Sequence, residues 1–292
     1  MEKHYINKWY NGHHLYRMIY PYNPLNLPDY TIRVKFKSGY TPAMGDTQTL
    51  VNSTNNIWDI YKQSSIWVEL FRGCSDLLEV LGANTTNITH MASMFNGCTS
   101  LTSISLFDTS NVVQMADMFA DCSSLTSVPL YDTSKVNNME GLFYGCSSLT
   151  SVPLFDTSKV YNMYQMFYYC TALTSVPLFD TSNVKYMNEM FYQCQALQSV
   201  PLFDTSNVEG MAIMFLGCTS LTSFPLFNTS KVTDTHYMCY GCVNVETGAL
   251  ALYQQMSTQT IPPTNHNGTF YRCGINTQTG SAELSQIPSN WK

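Results

Sequence analysis

The feature that most constrains this chain is a repeat with a period of 24 residues. Cysteine occurs at 74, 98, 122, 146, 170, 194, 218 and 242, and leucine, valine, methionine and phenylalanine columns recur in step with it. A fixed period of this length is typical of stacked repeats, in which each unit is too small to bury its own apolar face and packs on its neighbours. The 292-residue chain is therefore expected to form a solenoid.

Within one unit the apolar spacing changes from a strand pattern to a helical pattern. Leu173, Val176 and Leu178 follow an L-x-x-V-x-L pattern, and Asp180-Thr181-Ser182 supplies side-chain oxygens for a helix start. Glycine precedes the cysteine in five of eight units, as expected where a helix ends. The apolar residues that follow the turn share one face of a helix of about three turns: Val184, Met187, Met190, Phe191 and Cys194. The sequence predicts an α/β repeat solenoid of about eight 24-residue strand-turn-helix units with atypical caps.

A row of prolines limits the predicted strands. Proline follows the valine column at 129, 153, 177, 201 and 225. Because proline cannot donate to a sheet ladder, hydrogen bonding between units is expected at only two or three residues around Thr-Ser-Val.

The repeat divides the chain into three predicted regions. Residues 1–46 carry six Lys/Arg against three Asp/Glu and no repeat, which predicts an N-terminal attachment or capping module. Residues 47–250 form the solenoid, and NSTNNIWDIYKQSSIWVELF is expected to be the helix of its first unit. Residues 251–292 form a C-terminal cap with a decayed ninth unit, because Cys273 follows Cys242 by 31 residues. A helix is predicted around GALALYQQMSTQTIPP, ending at Pro262-Pro263.

Composition excludes several functions. Only 12% of residues are charged, and neither the N-terminal region nor the remainder has a basic run, so nucleic-acid binding is not expected. No apolar stretch reaches the ~20 residues that span a bilayer, so membrane insertion is not expected either. The polar, aromatic start has no apolar core for a secretory signal. Phosphate loops, nucleophile elbows and spaced acid pairs are missing from the sequence, which indicates that the protein is not an enzyme.

The columns FDTSxVxxMxxMFxxCxxLTSVPL resemble the repeats of the BspA-like leucine-rich-repeat family over about residues 57–250. The flanks LPDYTIRVKFKSGYTP and AELSQIPSNWK are similar to the ends of short phage or prophage members. The resemblance implies a leucine-rich-repeat-like solenoid used for adhesion or partner binding, with no catalytic residues. Because secreted members carry a signal or lipid-attachment segment, its absence favours a virion component over a bacterial cell-surface adhesin.

The cysteine column is predicted to be buried and free. Cysteines on adjacent units would place their Cβ atoms ~4.8 Å apart with parallel vectors, whereas a disulfide requires ~3.8 Å and a twisted geometry. One set of residues could bind zinc, namely Cys239-x-x-Cys242 with Cys273 and His266. Both cysteines of that motif occupy repeat columns, so neither a metal nor another cofactor is predicted. A Cys239–Cys273 disulfide stays an alternative in oxidising surroundings.

The function of a row of aspartates can be interpreted in two ways. It could bind calcium, or it could cap turns and helices by accepting hydrogen bonds. The ends of the column are Asn84 and Asn228, which keep the acceptor but lose the charge, and this favours capping. The aspartates are Asp108, Asp132, Asp156, Asp180 and Asp204.

The candidate binding residues are those that change from unit to unit. They lie on the predicted helix, away from its apolar face, and six of the twelve such positions in the two middle units are tyrosine. Tyrosine with Asn and Gln is typical of binding loops, although drift on a solvated face would also produce variation. The predicted ligand-binding residues are Tyr161, Tyr164, Tyr168, Tyr169, Tyr186, Asn188, Tyr192 and Gln193.

The opposite, strand-side surface is expected to be regular. It would present Thr-Ser, the proline row and an aromatic column to a repetitive ligand or to another copy of the chain. The aromatic column is Phe107, Tyr131, Phe155, Phe179, Phe203 and Phe227.

These patterns predict a non-enzymatic recognition or adhesion protein, in particular a phage or prophage virion appendage that binds a host cell-surface protein or glycan. Residues 1–46 would attach it to virion or surface-assembly proteins. The alternative is a structural spacer or oligomerisation component of a virion or cell-surface assembly, including a homo-oligomer.

Overall fold

The computed structural model describes residues 25–292 in full, and of the first 24 residues it describes the backbone of two strands. These are β1 (Tyr5–Tyr10) and β2 (His13–Met18), which pair antiparallel with Tyr5 opposite Met18. Within the predicted attachment region, residues 1–4, 11–12 and 19–24 therefore lie outside the described residues. Among those that are described, no helix is both long and apolar enough to cross a bilayer.

A five-stranded sheet covers the N-terminal end of the repeats. Its strands are β3 (Thr31–Phe36), β4 (Thr47–Asn52), β5 (Ile57–Tyr61), β6 (Leu77–Ala83) and β7 (Ser103–Ile104). Their order in the sheet is β4-β5-β3-β6-β7. The central strand, β3, is antiparallel to both β5 and β6, while β6 is parallel to β7. The sheet therefore joins the first region to the repeats, and the boundary predicted at residue 46 falls inside it.

The sequence of β3 alternates between buried and partly exposed residues, with Ile32, Val34 and Phe36 in the core. The helix predicted from NSTNNIWDIYKQSSIWVELF is wrong, because its first half contains β5. The outward side chains of β3 form ion pairs with the neighbouring strands. Arg33 bonds both carboxylate oxygens of Asp59 at 2.7 Å, and Lys35 lies 2.6 Å from Glu79.

In the repeats, the residues between the valine column and the cysteine form consecutive turns; we call this stretch (160–170 in one unit) the turn segment. Within it, the amides of Met166, Tyr168 and Cys170 donate to the carbonyls three residues earlier, at 3.1–3.2 Å. The amides of the alternate residues donate instead to the next unit, at 2.8–3.1 Å: Met163 to Tyr186, Gln165 to Asn188, Phe167 to Met190 and Tyr169 to Tyr192. Each turn segment is thus hydrogen-bonded to its neighbour along its whole length.

The predicted helix in each unit is therefore wrong, and the strand-turn-helix description of the fold must be corrected. Phenylalanines stack along the turn segments with ring centroids 5.6–5.8 Å apart, from Phe71 to Phe215. A helix is about 10 Å across, so helices cannot stack at this spacing. The turns nevertheless bury the same side chains that a helix would have buried. In one unit the fully buried residues are Val184, Met187, Met190, Phe191 and Cys194.

Left-handed residues make these turns possible. The glycine before the cysteine has φ of 75° at Gly97, 68° at Gly145 and 74° at Gly217, where it serves a turn and not a helix end. In other units Tyr169 and Gln193 occupy the same place with φ of 56° and 57°. Glycine recurs here because residues with a Cβ resist this conformation.

Fewer backbone hydrogen bonds connect neighbouring units on the strand side than along the turn segments. In the middle units one backbone bond connects neighbours there, such as the amide of Thr174 to the carbonyl of Thr150 at 3.3 Å. The narrow ladder predicted from the prolines is therefore observed, and it is narrower than expected.

The aromatic column does not lie on the strand-side surface, and this expectation was wrong. The amides of Phe179, Phe203 and Phe227 bond the carbonyls of the prolines two residues earlier, at 3.0 Å. This tight turn directs the phenylalanines into the core, at most 2% exposed, and directs the preceding leucine outward. Leu202 and Leu226 are 59% and 55% exposed. The strand-side surface is thus Thr, Ser, Pro and Leu.

The cysteine column is buried and free, as predicted. Each thiol from Cys98 to Cys242 donates to the phenylalanine carbonyl of the preceding unit, at 3.0–3.2 Å. Burial raises the pKa of these thiols well above its usual range, as at Cys122 and Cys170. The thiols therefore fill the core and add one bond between units.

The C-terminal cap completes the stack. The predicted helix is present as α1 (Ala249–Thr258), and it ends before Pro262. The decayed ninth unit also forms, since Asn265 pairs in parallel with Asp234 and the amide of Cys239 donates to Thr269. In earlier units the threonine after the aspartate donates its hydroxyl to a backbone carbonyl of the next unit, as Thr205 does to Asn228 at 2.8 Å. At Thr229 the acceptor is instead the side-chain oxygen of Gln259, at 2.9 Å. A second helix, α2 (Gln278–Gln286), and a short 3-10 helix at Ser289–Trp291 follow.

Ile213 provides a test of the turn geometry. It occupies a left-handed position with φ of 62°, where Gly141 stands in an earlier unit, and a β-branched residue is strained there. We expect Ile213→Gly to raise the free energy of unfolding by about 1 kcal/mol in urea denaturation. The control Ala212→Gly changes the neighbouring residue, whose φ is not left-handed, and should lower stability. Equal losses in both variants would contradict the turn assignment.

The thiols provide a second test. In native protein at pH 8 the buried cysteines should react very slowly with Ellman's reagent, because burial disfavours the thiolate. All ten should react after denaturation without a reductant. Rapid labelling of the native protein would show that the column is exposed, and fewer than ten reactive thiols in denaturant would reveal a disulfide.

Candidate recognition site on the turn face

The one set of residues that could bind zinc by its sequence, where no metal was predicted, is divided between different environments. Cys239, Cys242 and Cys273 are buried and free. His266 does not face them in a ligand set; its ring stacks on Trp291 at 4.1 Å, and Nδ1 lies 3.1 Å from the Pro263 carbonyl. Within residues 25–292, no group of three or more His, Cys, Asp or Glu is arranged to hold a metal ion.

The aspartate row caps turns. In each unit the Asp Oδ1 accepts from the amide two residues later, as in Ser182 N–H to Asp180 at 3.1 Å. Asn228 does the same for Ser230 at 3.0 Å, which explains why Asn is accepted in this column. Bonds from the Ser206 hydroxyl and amide hold the pKa of Asp204 below its usual range. The predicted capping is confirmed for the turn, while the helix it was also expected to cap does not exist.

The side chains that point outward from the turn segments form a surface that we call the turn face. Every predicted binding residue lies on it, because these residues alternate with the buried methionines and phenylalanines. Tyr161, Tyr169 and Tyr186 are exposed by 43%, 42% and 40%. The remaining five are half-buried: Tyr164, Tyr168, Asn188, Tyr192 and Gln193.

Three tyrosines stack face to face at the centre of the turn face. The rings of Tyr144 and Tyr168 lie 4.6 Å apart and those of Tyr168 and Tyr192 lie 4.4 Å apart, both within 6° of parallel. We call these residues the tyrosine stack. Tyr169 meets it edge-on, at 4.9 Å from Tyr168 and 5.3 Å from Tyr192. The stack follows directly from the repeat, because equivalent positions on adjacent units are held at stacking distance.

Glu189 connects the tyrosine stack to its surroundings. Its carboxylate accepts from the Tyr164 hydroxyl at 3.2 Å and from Gln165 Nε2 at 2.8 Å. Partial burial, followed by the charge of Glu189, raises the pKa of Tyr164. The pKa of Tyr168 is also raised, first by burial and then by the neighbouring tyrosines and Glu189. These phenols therefore stay protonated at neutral pH and can donate hydrogen bonds.

The other predicted residues lie beside this cluster. Tyr161 and Tyr186 occupy separate columns along the turn face. The amide of Lys185 donates to the backbone carbonyl of Tyr161, and Tyr186 forms a parallel β-bridge with Asn162. Asn188 accepts from the Ala212 amide at 2.9 Å, so it supports the turn as well as facing outward. Gln193 accepts from Gln195 Nε2 at 3.1 Å.

Sequence reasoning missed Tyr144. It lies one unit before the two that were compared most closely, yet the residue after each phenylalanine is tyrosine in three successive units, at 144, 168 and 192. That column was the signal that could have identified it.

Comparisons with known proteins gave one family and several similar structures. A family model described as "Mycoplasma protein of unknown function, DUF285" matches residues 67–176 and 150–251. None of the curated proteins matches in sequence.

Two solved leucine-rich-repeat proteins are similar to this chain. The T. pallidum leucine-rich-repeat protein is 24% identical over 53% of this chain and 69% of its own, with a TM-score of 0.41. A protein from Eubacterium ventriosum is 16% identical over 76% of this chain and 64% of its own, with a TM-score of 0.40. Because these scores are low, the repeat architecture rests on the contacts within the chain itself. The family matches, however, together span more than half of the chain, and the chain belongs to the DUF285 family.

Proposed function

We propose that this chain is a non-enzymatic recognition protein that binds a partner through the turn face. The observation that supports this most strongly is the cluster of outward-facing tyrosines in the middle units. The core needs only the inward methionines, phenylalanines and cysteines, so the outward positions are free to vary with the ligand. Tyr161, Tyr169 and Tyr186 are at least 40% exposed although they are large aromatic residues.

The chemistry of the surface is suited to binding. Tyrosine offers a large, rigid contact area at low conformational cost, and Asn and Gln add adaptable hydrogen bonds. Stacking limits the motion of Tyr168 and Tyr192 before any ligand arrives, which reduces the entropy lost on binding. Aromatic residues of this kind provide most of the energy at protein interfaces.

In its specific form, the proposal is that the protein is a virion appendage of a phage or prophage and contacts a protein or glycan on the host surface. Residues 1–46 would attach it to the virion. The support is the sequence resemblance to short phage members of the BspA-like family, including the flanks on either side of the repeats. A bacterial cell-surface location is the alternative.

A structural role is the second candidate, and the exposed leucines favour it. Leu130, Leu202 and Leu226 are exposed by 42%, 59% and 55% on the strand side. With Leu178 and Asp204 the last two line a depression of about 420 Å³. An apolar row of this kind could pack against an assembly partner or a second copy, so that the repeats serve as a spacer or oligomerisation surface.

Two triple variants separate the two roles. We expect Tyr161→Ser, Tyr169→Ser and Tyr186→Ser together to abolish binding of the labelled protein to a panel of bacterial cells. The melting temperature should change little, because all three side chains are at least 40% exposed and none of them belongs to the buried core. The matched control replaces Leu130, Leu202 and Leu226 with Ser and should leave cell binding intact.

The opposite pattern would support the structural role. If the tyrosine variant binds cells normally while the leucine variant loses assembly in analytical ultracentrifugation, the recognition proposal is wrong. Circular dichroism of both variants checks that each one is folded.

A further inference from the structure

The first turn segment of the repeats leaves a row of backbone carbonyls without donors. In later units the carbonyls at alternate positions accept from the preceding unit, as His90 does from the amide of Trp67 at 2.8 Å. No repeat precedes the first turn segment, and β3 continues the ladder only on the strand side, where it pairs with β6. We call this row the acceptor edge. Within the described part of the chain, the carbonyls that no donor reaches are those of Ile66, Val68, Leu70 and Arg72.

The acceptor edge is open. Ile66 and Val68 are 49% and 38% exposed. A Cβ atom added to Gly73 would meet no described atom within 4 Å, whereas one added to Gly97, in the next unit, would lie 3.2 Å from the Gly73 Cα. Because every free group of this edge accepts, two copies of the edge cannot pair with each other. A partner that fits must supply amides at alternate residues.

The other end of the turn ladder supplies amides with this spacing. The eighth unit donates to the ninth, as Tyr237 does to the carbonyl of Asn267 at 3.0 Å. No further unit follows, so the corresponding amides of the ninth unit form a donor edge. Among the described residues, the only acceptor that reaches this edge is the Trp291 carbonyl, which lies 2.9 Å from the Phe270 nitrogen. The amides of the donor edge are those of His266, Gly268, Phe270 and Arg272.

The C-terminal residues close the donor edge. The Trp291 side chain is 5% exposed, stacks on the His266 ring at 4.1 Å and meets Tyr253 edge-on at 5.4 Å. These contacts hold the 3-10 helix (Ser289–Trp291) against the ninth unit, with its last carbonyl on Phe270. The chain therefore caps its donor edge with its own residues, while the described residues contain no corresponding cap on the acceptor edge.

We propose that the acceptor edge binds the donor edge of a second copy of this chain, and that Trp291 blocks this head-to-tail contact until its segment is displaced. In the joined state the four amides of the donor edge would donate to the four carbonyls of the acceptor edge, in the register that the repeats use. His266 would bond Ile66, and Phe270 would exchange the Trp291 carbonyl for that of Leu70. This surface differs from the turn face and from the exposed leucines, so the proposal does not depend on the recognition function.

The side chains at the two ends also fit. Within the repeats, Gln193 leans over Gly217 of the next unit, where an added Cβ atom would lie 2.5 Å from the Gln193 Nε2. Arg272 ends the same column at the donor edge, and Gly73 begins it at the acceptor edge. Arg272 of one copy would therefore lean over Gly73 of the next, in the space where no described atom lies.

A neighbouring column adds an aromatic contact. Tyr271 is 45% exposed, and its ring stacks on Tyr240 at 5.0 Å. Arg72 begins this column at the acceptor edge, so its guanidinium would lie next to Tyr271 in the joined state. Arginine stacks favourably on aromatic rings, and the contact would extend the column by one more unit.

The first test opens the donor edge in the full chain. A head-to-tail contact leaves a free edge at each end of every joined pair, so the assembly continues to grow. We expect Trp291→Ala to form species in sedimentation velocity whose mean size rises with protein concentration, while the wild type does not change over the same range. If circular dichroism shows that Trp291→Ala is unfolded, Trp291→Leu replaces it, because leucine keeps an apolar side chain and loses the stacking on His266.

The second test examines the register of the contact. Val68 and Asn267 occupy the same column at opposite ends of the repeats, and both are exposed. In the Trp291→Ala chain, Val68→Lys with Asn267→Lys would place like charges side by side where two copies join. Association should then be about fivefold weaker at low salt than in the matched control, Val68→Lys with Asn267→Glu, which places opposite charges there.

Two results would overturn the proposal. A folded Trp291 variant that sediments like the wild type would show that the acceptor edge is covered or does not fit the donor edge. Equal association of the two charge-pair variants would show that the copies join through another surface, such as the exposed leucines.

Discussion

The backbone hydrogen bonds between turn segments hold the units of this protein in register. Alternate amides of each turn segment donate to the next unit, as Gln165 does to Asn188 at 3.1 Å. Because this pairing brings identical positions together at strand-like spacing, every column of the repeat becomes a physical stack. The phenylalanine stack and the thiol-to-carbonyl bonds follow from it in the core. On the outside, the same register turns a column of tyrosines into a face-to-face stack.

This arrangement separates stability from recognition within a single segment. Left-handed turn residues alternate the side chains between core and surface, so Met187 and Phe191 are fully buried while Tyr186 is 40% exposed. Changes at outward positions leave the backbone ladder intact, since the ladder uses main-chain atoms. A repeat built in this way can present tyrosines, carboxylates or small residues on successive units without altering its core. The glycines at 141 and 145, which make room for two carboxylates of the preceding unit, are one such variation.

The sequence was sufficient to predict the columns, the buried cysteines, the turn caps, the ninth unit and the α1 helix. It was not sufficient to predict the backbone of the turn segment, because a spacing of three, three, one and three buries the same side chains in a helix and in consecutive turns. The tight turn between Pro177 and Phe179 could not be predicted either. Leu178 and Phe179 are adjacent and both apolar, so the hydrophobic pattern is the same whichever of the two faces the core. For the candidate site, the tyrosine column was evident from the sequence, whereas the face-to-face stacking of Tyr144, Tyr168 and Tyr192 depends on the register between neighbouring units.

The most direct test of this account is an NMR experiment that detects scalar couplings across hydrogen bonds in the full chain. The turn ladder predicts a coupling between the amide nitrogen of Gln165 and the carbonyl carbon of Asn188, and another between Phe167 and Met190. A helical segment would instead couple the Gln165 amide to the carbonyl of Tyr161, four residues earlier. Couplings between units would support the ladder, and the i to i−4 pattern would contradict it together with the tyrosine stack that it produces.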